Sequence, residues 1–204
     1  MEQNGNNVMD YTRKDATVEG VAQNMKERME RLGMLGEGRK NGALLVVDER
    51  PPVGDNTTVM LHVVNDAAVK GHVPAAYFSP GELSNVQVVN RLIAINTGID
   101  SQTITDGTLS REQWKKLDAE LPKLVGAPLY VDDTPEPTLV SLKEKITGLA
   151  KEKGVRLVVV NPVSMVFIHS DQESFDRQKR IGFITAGLKA LAEDLGIAII
   201  AVAE

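Results

Sequence analysis

The chain has 204 residues, 42% of them hydrophobic and 25% charged, enough for one substantial domain with an extra arm. Its net charge is −5 and it contains no Cys. The acidic balance argues against broad sequence-independent DNA binding, which relies on clustered Lys and Arg, and the lack of Cys excludes disulfides, thiol catalysis and Cys-ligated zinc.

No apolar run approaches the roughly 18 residues of a membrane span, and the polar residues 1–17 lack a signal-peptide core, which reads as a cytoplasmic protein. Residues 1–17, rich in Asn, Asp and Gln, read as a loosely held arm. Residues 18–41 read as an amphipathic helix and linker. Val18, Val21, Met25, Met29, Leu32 and Leu35 recur every three or four residues, and Gly33, Gly36 and Gly38 close the helix. Such a stripe packs on its own domain or docks on another subunit.

From residue 42 onward, strand and helix signals alternate. Ala43 to Val47 is a continuous apolar run, as in a buried parallel strand. The turn Arg50-Pro51-Pro52-Val53-Gly54 leads into a helix over 57–70 that is apolar nearly all round. Ala75 to Phe78 is a second strand, and Ser79-Pro80-Gly81 breaks it. Residues 83–97 form a helix with Gly98 past its end. Ser110 and Gln113 make a capping box for a helix to about residue 124, and Ser141 with Glu144 makes another for a helix to about 153. Residues 129–131, 155–160 and 197–203 complete the strands, with a helix over 174–195. This alternation predicts an α/β fold with a mostly parallel sheet covered on both faces.

A strand, tight loop and buried helix in that order can cradle a phosphate on backbone N–H groups and the helix N-terminus. Such a loop carries Lys and then Ser or Thr after its last Gly. Here Asp55 and Asn56 follow Gly54. Both are good N-cap residues, so the loop reads as capping its own helix with a side chain.

Arg50-Pro51-Pro52-Val53-Gly54, Phe78-Ser79, Asn96-Thr97-Gly98-Ile99-Asp100, Tyr130-Val131-Asp132-Asp133-Thr134-Pro135, Leu188 to Ala192 and Ile199 to Ala201 stand in the order and spacing of one family. Over 42–204 the chain resembles the RecA-like motor domain of the DnaB-type bacterial replicative helicases. The resemblance implies a three-layer RecA-like domain that stops short of the family's C-terminal end. The departures fall on chemistry. The family's phosphate-contacting Lys is Asp55, and its magnesium-holding Thr is Asn56, with Thr57 one place late. Its water-activating Glu is Gly81, with Glu82 beside it. Its magnesium-orienting Asp is Asn161, and its strand-end Gln is Glu204. The vestigial phosphate loop is thus Arg50, Pro51, Gly54, Asp55, Asn56 and Thr57, and the vestigial catalytic positions are Gly81, Glu82, Asn161 and Glu204.

Phosphoryl transfer needs positive charge and a metal held in line. Lys to Asp changes the local charge by two units, and one contact pair is worth about 1 kcal/mol in water and about 4 at intermediate dielectric. The expectation is therefore a catalytically inactive helicase-like module with no cofactor and no resident metal. It would bind copies of itself or a replicative helicase subunit, with weak or no DNA binding. One alternative keeps ATP and magnesium binding. The other is an engineered or decayed domain without activity.

The remaining candidates have bland readings. Glu82 helps start the helix after it. Asp132 and Asp133 point apart as turn formers. His62, His72 and His169 share no ligand spacing, and Ser79 lacks a His/Asp constellation. Trp114 packs, and Arg177, Lys179 and Arg180 form a solvated helix face.

Overall fold

The computed structural model describes residues 17, 18, 20, 22, 23, 27, 42–47, 55–168 and 176–203. Five strands are present there: β1 (Ala43–Val47), β2 (Ala75–Phe78), β3 (Leu129–Asp132), β4 (Leu157–Val160) and β5 (Ala198–Val202). They form one sheet in the order β1-β5-β4-β2-β3, and every pairing is parallel. All five segments read as strands from the sequence lie in this one sheet.

Strand alternation divides the core into two layers. Leu45, Val47, Ala75, Tyr77, Leu157, Val159, Ala198, Ile200 and Val202 face one cluster, with the helices α1 (Asn56–Asn65) and α2 (Asn85–Thr97). Ala76, Phe78, Val158, Val160, Ile199 and Ala201 face the other, with α5 (Leu139–Glu152) and α6 (Arg177–Leu195). Two helices lie between α2 and β3 in the chain: α3 (Ser101–Asp106) and α4 (Arg111–Val125). The result is the three-layer α/β arrangement read from the sequence. Among the described helices none is long and apolar enough to cross a membrane. Gly42 enters β1 so close to α6 that a Cβ there would overlap the Ala192 carbonyl.

Of the N-terminal stretch, Ala22 is buried in the α1-side cluster and Val18 packs against it. These residues lean on the domain itself. Val21, Met25, Met29, Leu32 and Leu35 lie outside the described side chains.

Several local readings are corrected. The apolar helix after the turn is α-helical only to Asn65 and continues as a π-helix over Asp66–Lys70. α2 begins at Asn85 behind a Ser84–Gln87 capping box, so Glu82 lies outside it. The cap of α5 is Thr138, whose hydroxyl accepts from the Ser141 N–H at 3.1 Å, so Ser141 is the third helical residue and not the cap. α3 was not anticipated; Asp100 caps it. Trp114 is 49% exposed, more than a packing residue would be. The Ser110 capping box on α4 forms as expected, and α4 continues through Pro122.

β3 is tied to α5 by charge. Asp132 Oδ2 accepts from Lys145 Nζ at 2.6 Å, and its Oδ1 accepts from the Thr134 N–H at 3.0 Å. Partial burial pushes this carboxyl up, but the Lys145 ammonium and the Thr134 donors more than offset it and hold it below the ordinary carboxylate range.

These geometries can be tested by unfolding. His72 sits at φ 51, a left-handed conformation that β-branched residues adopt poorly. His72→Gly should keep or raise stability, and His72→Val should lower it by about 1 kcal/mol, read by urea denaturation. The Asp132 carboxyl is easier to ionise folded than unfolded. Its stabilisation is therefore complete above the unfolded value of about 4 and is lost as pH falls through the lower folded value. The stability gap between wild type and Lys145→Met should be steady near neutral pH and shrink below about pH 4.

Candidate functional site

Asn56, Thr57, Ser79 and Asn161 are polar residues no more than 3% exposed. All four stand at the same end of the sheet. Ser79 follows β2, Asn161 follows β4, and Asn56 and Thr57 open α1. Parallel strands feeding helices bring these ends together, which is where open α/β sheets hold ligands.

Asp55 is the N-cap of α1, with extended backbone at φ −124, ψ 164. Its Oδ1 accepts from the Thr58 N–H at 2.6 Å. A carboxylate on a helix N-terminus meets both an otherwise unpaired N–H and the positive end of the helix dipole.

Thr57 is the centre of the buried network. Its hydroxyl donates to Glu82 Oε1 at 2.5 Å and accepts from Asn161 Nδ2 at 2.8 Å. Asn161 Nδ2 also donates to the Tyr77 hydroxyl at 3.0 Å. Because the one Thr57 hydrogen goes to the carboxylate, Thr57 must accept from Asn161, and this fixes the amide with its nitrogen toward Thr57. The other end, Asn161 Oδ1, is buried with no hydrogen-bond partner among the described residues. Burial pushes the Tyr77 hydroxyl well above its ordinary value despite the Asn161 hydrogen bond, and the Glu82 charge adds to this, so Tyr77 stays neutral.

Glu82 reaches Thr57 because of the loop before α2. Ser79 Oγ accepts from the Leu83 N–H at 2.9 Å, closing a turn around Gly81. Gly81 is at φ +67, a conformation that suits glycine, and its missing side chain leaves Met165 beside it. The chain reverses there and delivers the next side chain, Glu82, to α1.

The structure thus brings together Asp55, Asn56, Thr57, Glu82 and Asn161. Gly81 shapes the loop but offers no functional group. Arg50, Pro51, Gly54, His169 and Glu204 lie outside the described residues. Tyr77 was missed, although a Tyr in an otherwise apolar buried strand implies a partner for its hydroxyl. Asp132 and Asp133 diverge as expected: Asp132 turns to Lys145, and Asp133 Oδ2 accepts from the Asn85 N–H at 2.8 Å. No group of three or more His, Cys, Asp or Glu that could hold a metal occurs among the described residues. Arg177 and Lys179 are exposed, Arg180 is partly so, and Lys179 pairs with Asp176 at 3.5 Å.

A family model described as the DnaB-like helicase C terminal domain matches residues 24–204. A replicative DNA helicase DnaB of Leifsonia xyli subsp. xyli is 28% identical over 191 residues, covering 94% of this chain and 40% of that protein. The DnaB of Geobacillus stearothermophilus is 29% identical over 191 residues, with the same coverage. This chain therefore spans about two-fifths of the length of these relatives. Among solved structures, one described as an ATPase domain superposes with a TM-score of 0.70 at 17% identity, covering 93% of this chain and 72% of that one. A DnaB-like replicative helicase, described with its interactions with primase, also gives 0.70 at 17% identity, covering 93% of this chain and 48% of that one. These structures share the fold, and the sequence match over 24–204 carries the assignment: the chain belongs to the DnaB-like helicase C-terminal domain family.

Proposed function

We propose that this chain is a helicase-like domain that works in DNA replication as a binding or assembly module and does not turn over ATP. The observation that carries the reading is the Asp55 cap. A phosphate at the α1 N-terminus would meet a carboxylate already bonded to the Thr58 N–H. The residues at this position do not fit a phosphate, because anion would face anion. The Thr57 hydroxyl is likewise engaged by protein groups on both sides. Partners of the family's kind, a second copy or a replicative helicase subunit, suit a domain kept for its surfaces, and primase joins them by analogy with the solved relative.

A second reading, a domain that retains nucleotide and magnesium binding, is favoured by one observation. Glu82 and Thr57 lie together, Thr57 is bonded to the Asn161 amide nitrogen, and the Asn161 amide oxygen is an acceptor with no partner among the described residues. Oxygen donors of this type suit magnesium.

Calorimetric titration of the chain with ATP and ADP, with and without magnesium, is expected to give no binding heat, and phosphate release should stay at background. Tight binding, or turnover abolished by Glu82→Gln, rejects the module reading and supports the second. Sedimentation alone and with a replicative helicase should show self-association or capture, and a strict monomer that captures neither would remove the assembly role.

The cap makes its own prediction. Asp55→Ala should cost about 0.5–2 kcal/mol in denaturant unfolding. Asp55→Lys combined with Asn56→Thr should raise ATP affinity by about tenfold or more, since the local charge changes by two units. Turnover should remain low because Asn161 is unchanged.

A further inference from the structure

β3 ends on Asp132 and Asp133 follows it; of the two, only Asp132 forms an ion pair among the described residues. We propose that the other, Asp133, is a positioning residue that aims Glu82 at Thr57. This goes beyond the proposed function and holds whether or not a nucleotide binds.

Glu82 itself is exposed and lies in a short loop, yet its carboxylate makes a 2.5 Å bond to Thr57. Holding an exposed side chain on one buried hydroxyl requires the loop to be fixed at both ends. One end is anchored to β2 and β3: the Ser79 N–H donates to the Asp132 carbonyl at 2.9 Å, and Ser79 Oγ accepts from the Leu83 N–H at 2.9 Å. The other end is the start of α2. Its Ser84 cap serves the Gln87 N–H, and Gln87 Oε1 serves the Ser84 N–H. The first helical amide, Asn85, is left over by that box. Asp133 Oδ2 takes it at 2.8 Å, reaching across from another element 48 residues away in the chain. A carboxylate on a helix N-terminal N–H is among the stronger hydrogen bonds.

Asp133 can do this because its neighbour is fixed in the opposite direction. Successive side chains of an extended segment point to opposite faces. Asp132 goes to Lys145 of α5, on one side of the sheet, and Asp133 goes to α2, on the other. The Asp-Asp pair therefore clamps β3 between the two helical layers. Glu82 lies three residues before the clamped amide. Release of Asn85 unties the α2 end of the loop from β3, while the Ser79–Leu83 bond at the other end remains.

The test uses the full chain and NMR. In wild type, Thr57→Val should shift the Glu82 side-chain carboxyl carbon resonance, since it removes the hydroxyl donor. In Asp133→Ala most of that response should be lost. The Leu83 amide should also exchange on the order of tenfold faster relative to Leu188, as for loss of one hydrogen bond to a charged group. Asp133→Asn keeps an acceptor oxygen and should restore much of both signals. Asn85→Pro removes the donor while leaving Asp133 intact, at a first helical position where proline is tolerated, and should reproduce Asp133→Ala even if that variant fails to fold. If the Glu82 resonance still responds fully to Thr57→Val in Asp133→Ala or Asn85→Pro, and Leu83 exchange keeps pace with Leu188, the role is merely structural and the proposal is overturned.

Discussion

The first turn of α1 must satisfy its backbone amides and its buried side chains at the crowded end of a parallel sheet, and the site is built around how it does so. Helix α1 is buried along nearly its whole length, so its start cannot be left frayed in water. Asp55 supplies an oxygen to the Thr58 N–H. Thr57 spends its hydroxyl hydrogen on Glu82 and receives one from Asn161. Asn161 in turn joins β4 to Tyr77 of β2. The helix is thereby stitched to two strands and to the β2–α2 loop by side chains of this chain.

The family fold itself does not rest on that polar network. The strands Leu157–Val160 and Ala198–Val202 are buried on both faces, and their alternating side chains feed two separate clusters. None of this depends on the identity of residue 55 or 161. Hydrophobic burial dominates folding free energy, and a charge at a loop tip is a small perturbation on it. The same change is large for an anion held at that tip, because it acts at contact distance. The fold thus places little constraint on the charge carried by residue 55.

Much of the fold was legible in the residue pattern. Continuous β-branched runs marked the buried strands, and the Ser110–Gln113 box marked α4 because cap chemistry is local. The site was less legible because counting along the chain assumes that equal sequence offsets mean equal positions in space. Thr57 looked one place late, yet it is the residue that meets Asn161. Gly81 stood at the expected carboxylate position, yet Glu82 reaches the site, since a left-handed glycine reverses the loop.

Fold class, family and the negative charge around residue 55 could be read from the residues alone, because periodicity, turn residues and charge are properties of neighbouring positions. Folding alone placed Thr57, Glu82, Tyr77 and Asn161 in one hydrogen-bond network. It also decided that Asp132 and Asp133 serve opposite layers. The partners in that network come from segments as far as 104 residues apart. They are brought into hydrogen-bond contact by strand order and helix packing, which no local pattern encodes.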